Sequence, residues 1–184
     1  MRIVAGILGG RRLHALKGRK IRPTSDRVRE AIFSIIGPAV SGANVLDLFA
    51  GTGALGLEAL SRGASQAVFV DQSLHAVRLI RTNIERCNVQ ERVRIIHGSV
   101  TQAINRLAGQ EEAFDLVFMD PPYGKGSIVK TLLELGPVAR SGTLVVAEYH
   151  VKDLVPYPLQ EWSKTQERKY GDTAVSFYMK ELAC

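Results

Sequence analysis

The sequence predicts an α/β fold with a doubly wound, mostly parallel sheet. Three observations carry this. Between Asn44 and Tyr149, short apolar runs alternate with segments of helical periodicity, and such alternation sets parallel strands between layers of helices. The first of those runs leads at once into a glycine-rich turn and a helix. The tail breaks the rhythm: two strand-like runs flank Gly171-Asp172, the pattern of a closing antiparallel hairpin.

The elements follow in order. Residues 2 to 8 and 11 to 17 read as two short strands, with Gly9-Gly10 as a two-residue hairpin turn. In IRPTSDRVREAIFSII, Thr24 is the expected N-cap, and Val28, Ile32, Ile35 and Ile36 share one helical face. Gly37-Pro38 ends that helix. VLDLF (45 to 49) is a strand, followed by the turn and a helix to about Arg62. AVFVD (67 to 71) is the second strand of the alternation. Ser73 can cap the next helix, with Leu74, Val77, Ile80 and Ile84 on one face. VRIIH (93 to 97) is the third strand, and a helix runs from about Val100 to Leu107. DLVFM (115 to 119) is the fourth, then a helix near Ile128 to Leu135 and a strand TLVVAEY (143 to 149). SKTQERKY and TAVSFYMK form the hairpin. Residues 1–38 thus make a small basic hairpin-and-helix extension, and residues 39–184 the main domain.

Composition narrows the function classes. The chain has 184 residues and is 46% hydrophobic, enough for one well-cored domain. No apolar run approaches the length of a membrane span. The N-terminal apolar patch is broken by glycines and arginines without a cleavage site, so no targeting segment is expected. Two cysteines, Cys87 and Cys184, are too few for a disulfide framework, and a cytoplasmic location is expected. The four histidines lack metal-ligand spacing, so no metal is expected. The formal charge is +6, and residues 1–30 hold nine Lys or Arg against only Asp26 and Glu30. Nearly all the excess positive charge therefore sits at the N-terminus. That asymmetry suggests a polyanion partner, most simply a nucleic acid. A solvated basic face explains the charge equally well.

LDLFAGTGALG places Gly51, Gly53 and Gly56 between a strand and a helix, the G-x-G-x-x-G spacing in its required context. Asp71 closes the next strand about twenty residues on, where an acid can hold ribose hydroxyls. Together they point to a nucleoside-containing cofactor. Asp47 lies four residues before Gly51. A carboxylate there would oppose a pyrophosphate but suits a cofactor with a cationic amine, as in S-adenosylmethionine. Alternatively, Asp47 hydrogen-bonds its own loop.

FDLVFMDPPYGKG raises a second question, because an apolar strand runs straight into Asp120, Pro121, Pro122 and Tyr123. Two prolines cannot continue a ladder. One reading is a rigid strand exit. The other is a reaction site: if this strand neighbours the one bearing the glycine loop, Asp120 and the Pro121 carbonyl can accept the two N–H bonds of a nucleobase amine. Tyr123 would offer a face for the base.

These motifs carry a resemblance. The sequence resembles class I S-adenosylmethionine-dependent methyltransferases that modify amino nitrogens, with LDLFAGTG and DPPY in the family order. More closely it is similar to the RsmD-type bacterial 16S ribosomal RNA guanine-N2 methyltransferases, through RIVAGILGGRRL, IRPTSDRVREAIF and GDTAVSFY. The similarity covers essentially the whole chain. It implies a Rossmann-like seven-stranded sheet and a 16S ribosomal RNA substrate, in the small ribosomal subunit or its assembly precursor. A monomer is expected. By position it implies that Phe49, Gly51, Thr52 and Gly53 line the methionine end, with Asp47 near the amine. Asp71, joined by Gln72, would hold the ribose, and Asp120 to Tyr123 the reaction site. After the third strand many relatives set an Asp against the adenine amine, whereas here stand Gly98, Ser99 and Val100; Ser99 or backbone could serve instead. The basic extension offers Arg11, Arg12, Arg22, Thr24 and Arg27 as RNA contacts.

Three alternatives compete. An adenine-N6 methyltransferase shares DPPY, but no segment is long enough for a separate target-recognition domain. An NAD-dependent oxidoreductase would use the same glycines and Asp71, yet leaves DPPY unexplained. A non-catalytic RNA-binding protein leaves both the loop and Asp120 unexplained.

Overall fold

The structure is a computed structural model and describes residues 1–15, 25–122, 127–153, 155 and 159–181. Seven strands form one sheet: β1 (Asn44–Leu48), β2 (Gln66–Asp71), β3 (Val93–His97), β4 (Phe114–Met119), β5 (Ala139–His150), β6 (Trp162–Tyr170) and β7 (Thr173–Lys180). Their order is β3-β2-β1-β4-β5-β7-β6. The first five run parallel, and β7 pairs antiparallel with both β5 and β6. The order reverses between β1 and β4, and in open α/β sheets ligands bind outside the strand ends at such a switch.

Among the described residues, five α-helices cover the two faces: α1 (Asp26–Ile36), α2 (Ala54–Ser61), α3 (Leu74–Cys87), α4 (Val100–Ala108) and α5 (Ser127–Glu134). Period-2 alternation assigns each strand residue to a side. Val45, Phe69, Leu116, Phe118 and Val146 pack with α1, α2 and α3, whereas Leu46, Val70, Val117, Met119 and Ala147 pack with α4 and α5. Phe33 of α1 meets Phe118 of β4 with ring centroids 5.5 Å apart. No described helix is long and apolar enough to cross a membrane.

Most expected elements stand within a few residues of their sequence bounds, and three details differ. The helix start expected at Thr24 is capped by Ser25, whose Oγ accepts the Val28 N–H at 3.2 Å; Ser25, not Thr24, stands three residues before that N–H. Leu74, expected on the apolar face of α3, is largely exposed at the first helical position. The buried face is Ala76, Val77, Ile80, Asn83, Ile84 and Cys87. Strand β5 begins at Ala139 rather than Thr143, with a register irregularity against β4 between Phe114 and Leu116.

The N-terminal stretch is the largest departure. Arg2 and Arg12 form an isolated antiparallel bridge, and the chain between them turns instead of extending as two strands; residues 16 and 17 of the second expected strand lie outside the described residues. The reason is competition from α2. Val4 and Ala5 donate their N–H groups to the Glu58 carboxylate at 2.7 and 3.0 Å, and Ile7 and Leu8 donate to the carbonyl and hydroxyl of Ser61. Glu58 is fully buried, and its charge is balanced by Arg62 at 2.8 Å. Ile3, Leu8 and Leu13 join the same core as α1 and α2.

Candidate active site

The site begins with a backbone that only certain residues adopt. Phe49 has φ 59°, Gly51 57° and Gly53 75°, all in the left-handed region where a Cβ is strained. This run turns the chain sharply off β1, and Gly53 caps α2. Gly56 has a different reason. A Cβ there would lie 2.4 Å from the Phe69 ring, so its absence lets α2 settle directly on β2, as the third glycine of this spacing does.

Two acids brace the loop. Asp71 at the end of β2 accepts the Gly51 N–H at 2.9 Å and, through its other oxygen, the Ser73 N–H at 2.8 Å. It thereby ties the glycine loop to the start of α3, and each oxygen retains lone-pair capacity for a further donor. Asp47 is buried and accepts the Gly56 N–H at 2.9 Å, so the alternative in which it bonds its own loop is realised in the geometry. Burial pushes its carboxyl up to about 8; the Gly56 N–H opposes this and the charge of Asp71 adds to it.

Registers bring the second motif to the first. Asp47 pairs with Phe118 across β1 and β4, and Phe118 pairs with Val146 across β4 and β5. Asp120 follows Phe118 by two residues, so it stands beside the glycine loop at the switch in strand order. Pro121 is buried and Pro122 exposed; Tyr123 lies outside the described residues. Asp120 is set apart from an ordinary surface acid by its surroundings. Burial first, then the charges of Glu148 and Asp47, hold its carboxyl well above the usual carboxylate range.

Other expected residues are more dispersed. Ser99 caps α4 in a capping box, accepting the Gln102 N–H at 3.3 Å while its own N–H meets the Gln102 side chain at 3.2 Å. Its hydroxyl is thus engaged locally, which weakens the case that it substitutes for the missing Asp. Gln72 is exposed, and its carbonyl lies 3.1 Å from His97 Nε2. Val100 is half-buried at the first position of α4. Arg11, Arg12 and Arg27 are exposed, and Arg11 donates to the Arg86 carbonyl at 2.8 Å. Arg22 and Thr24 lie outside the described residues.

Two residues escaped the motif reading. Glu148 is buried on β5, where the alternation of TLVVAEY sets it on the same face as Val146; that alternation was the available signal. Asn83 is a fully buried polar residue within the apolar stripe of α3, and its interruption of the stripe was the clue. Among the described residues, no group of three His, Cys, Asp or Glu side chains could hold a metal ion. The acids gathered along the strand ends oppose a pyrophosphate. They fit a ligand with ribose at one end and positive charge at the other, as S-adenosylmethionine has.

Known proteins are similar to this chain in sequence and fold. Residues 1–179 match the family described as conserved hypothetical protein 95. A Bacillus subtilis protein named as a candidate rRNA methyltransferase, YlbH, is 34% identical over 182 residues, spanning 98% of this chain and 99% of the relative. Ribosomal RNA small subunit methyltransferase D of Escherichia coli strain K12 is 33% identical over 183 residues, spanning 98% of this chain and 90% of the relative. Among solved structures, a candidate methyltransferase of Escherichia coli, yhhF, superposes with a TM-score of 0.85 at 32% identity, covering 98% of each chain.

Proposed function

We propose, on the premise that the chain belongs to the conserved hypothetical protein 95 family, that it is an S-adenosylmethionine-dependent methyltransferase. Its substrate is the exocyclic N2 amine of a guanine in 16S ribosomal RNA, within the small ribosomal subunit or its precursor. The observation that carries this reading is the neighbouring of β1 and β4, which sets Asp120 and its two prolines beside the glycine loop. The end-to-end similarity to a small-subunit RNA methyltransferase supports it.

When bound, S-adenosylmethionine supplies a methyl group on a sulfonium. The chain supplies the rest. Asp71 would hold the ribose hydroxyls while keeping the loop in place, and Asp47, on losing its proton, would supply negative charge toward the cationic end. The amine of guanine is a weak nucleophile because its lone pair is delocalised into the ring. Asp120 and the Pro121 carbonyl accept its two N–H bonds and stabilise positive charge growing on nitrogen. The prolines fix those acceptors beforehand. After transfer the nitrogen carries one proton too many. A carboxylate whose affinity for protons is raised by its surroundings is suited to take it. Tyr123 supports the flipped base.

Arg11, Arg12 and Arg27 with Arg22 and Thr24 form the RNA contact, and a single chain in the cytoplasm contains every residue this reading uses. The test is incubation with labelled S-adenosylmethionine and small subunits from cells lacking the modification, followed by nucleoside analysis. The expected product is N2-methylguanosine. Label in N6-methyladenosine, or none in RNA, would sink the reading.

A further inference from the structure

The basic arm and the glycine loop meet at one side chain. Asn83, in the third turn of α3, is fully buried. Its Nδ2 donates to the Thr52 carbonyl at 2.9 Å and to the His14 carbonyl at 3.1 Å, while its Oδ1 accepts the His14 N–H at 2.8 Å. A carboxamide has two N–H donors and one oxygen, so both donors are committed. Asp offers the same shape with no donor, and Ser offers only one.

Each partner is informative. Thr52 lies between Gly51 and Gly53, both at positive φ, so its carbonyl direction is part of the loop's geometry. His14 belongs to the arm that carries Arg11 and Arg12. The His14 ring lies 2.6 Å from an Arg86 nitrogen, and Arg11 donates to the Arg86 carbonyl. One helix therefore meets Asp71 through Ser73 at its start, the loop and the arm through Asn83, and the arm again at its last turn. Met1 adds a further approach, its sulfur 4.0 Å from the Thr52 hydroxyl.

We propose that Asn83 is a positioning residue that couples the cofactor loop to the basic arm, so that cofactor occupancy and RNA binding strengthen one another. This rests on reading the arm as an RNA contact. The planar amide is hydrogen-bonded to both backbone segments at once. Ordering the loop around a ligand restricts the amide, which restricts His14 and the residues before it. A second ligand then meets an arm already ordered. The effect is reciprocal by linkage.

The experiment measures affinity for undermethylated small subunits with and without saturating S-adenosylhomocysteine, which occupies the site without turnover. In the native protein the affinity should rise about fivefold or more, the lower end of typical couplings. In Asn83→Ala and Asn83→Asp the ratio should fall to about one. A merely structural role would lower melting temperature yet leave the ratio intact in variants measured well below it. The Arg11→Gln/Arg12→Gln variant should weaken RNA binding in both states and keep the ratio; if it leaves RNA affinity untouched, the arm reading fails instead. A native ratio of one, or a ratio that survives in both Asn83 variants, overturns the coupling. If neither variant folds, hydrogen exchange on the native chain decides. S-adenosylhomocysteine should protect amides over residues 11–15, and unchanged exchange there overturns the proposal.

Discussion

Replacing Asp71 with alanine tests the cofactor site most directly. Its carboxylate receives the Gly51 and Ser73 N–H groups at 2.9 and 2.8 Å, one on each oxygen, and retains lone pairs for two ribose hydroxyls. Hydrogen bonds to a charged group are worth roughly 1.5–3 kcal/mol each. Two at the low end give about 3 kcal/mol, and Asp71 is only partly buried, so a discount for solvent screening to about half leaves about 1.5 kcal/mol, or about tenfold in affinity. Loss of the brace on the loop adds to this. Asp71→Asn should fall between, since its amide can accept one N–H but must face the other with a donor. Calorimetry with S-adenosylmethionine and with adenosine alone is the assay. Both ligands should weaken by similar factors, because the lost contact is to the sugar they share. Unchanged affinity in a variant with native circular dichroism and cooperative melting would refute the ribose assignment.

Other substitutions probe the rest of the site. Asp120→Ala should cut turnover about a hundredfold or more with little change in cofactor affinity, and near-normal turnover would return Asp-Pro-Pro to a rigid strand exit. With its carboxyl held above the ordinary range, activity of the native protein should climb with pH through that raised value; an acid limb no higher than that of an ordinary carboxylate would contradict the assignment. Asp47, pushed up to about 8, is about nine-tenths protonated at pH 7. A cationic cofactor must lower that value, so binding at pH 7 should release a proton, seen as heats that vary with buffer ionisation enthalpy and lost in Asp47→Asn. Because its folded value lies above the unfolded one, the stability present below pH 4 is lost as pH rises through 8. Asp47→Asn should therefore flatten the pH dependence of melting over that window. Gly56→Ala drives a methyl into the Phe69 ring and should cost about 1–3 kcal/mol, a drop of about 2–4 °C per kcal/mol in a chain of this size; an unshifted melting temperature would show that Phe69 yields freely. Neutralising Arg11 and Arg12 should shrink the salt slope of RNA binding by about 0.7 per lost phosphate contact on single strands; an unchanged slope would remove them from the interface.

Much of this was decided by residues close together in the chain. The alternation that defines β1 to β4, the caps Ser73 and Ser99, and the strand bounds of Val93–His97 follow from local periodicity and local hydrogen bonds. The glycine spacing and the proline pair likewise restrict backbone shape locally. The resemblance to RNA methyltransferases rested on such local motifs, and they occur here in the family order.

What needed the tertiary structure depends on partners far away in sequence. Residues 2 to 13 show a hairpin signal and keep its bridge at Arg2 and Arg12, yet Glu58 and Ser61 of α2 take the N–H groups of Val4, Ala5, Ile7 and Leu8, and there a buried carboxylate outcompetes a strand ladder. Leu74 fits an apolar stripe, but at the first position of α3 it stays exposed. Asp120 reads as an ordinary acid until Glu148 and Asp47 are brought beside it from neighbouring strands. Asn83 looks like a flaw in a helix until His14, 69 residues away, and Thr52, 31 away, arrive at its amide. Local pattern selects the elements because dihedral preference and periodicity act over a few residues. Proton affinity and coupling are set by burial and by contacts that exist only once the strands have taken their order.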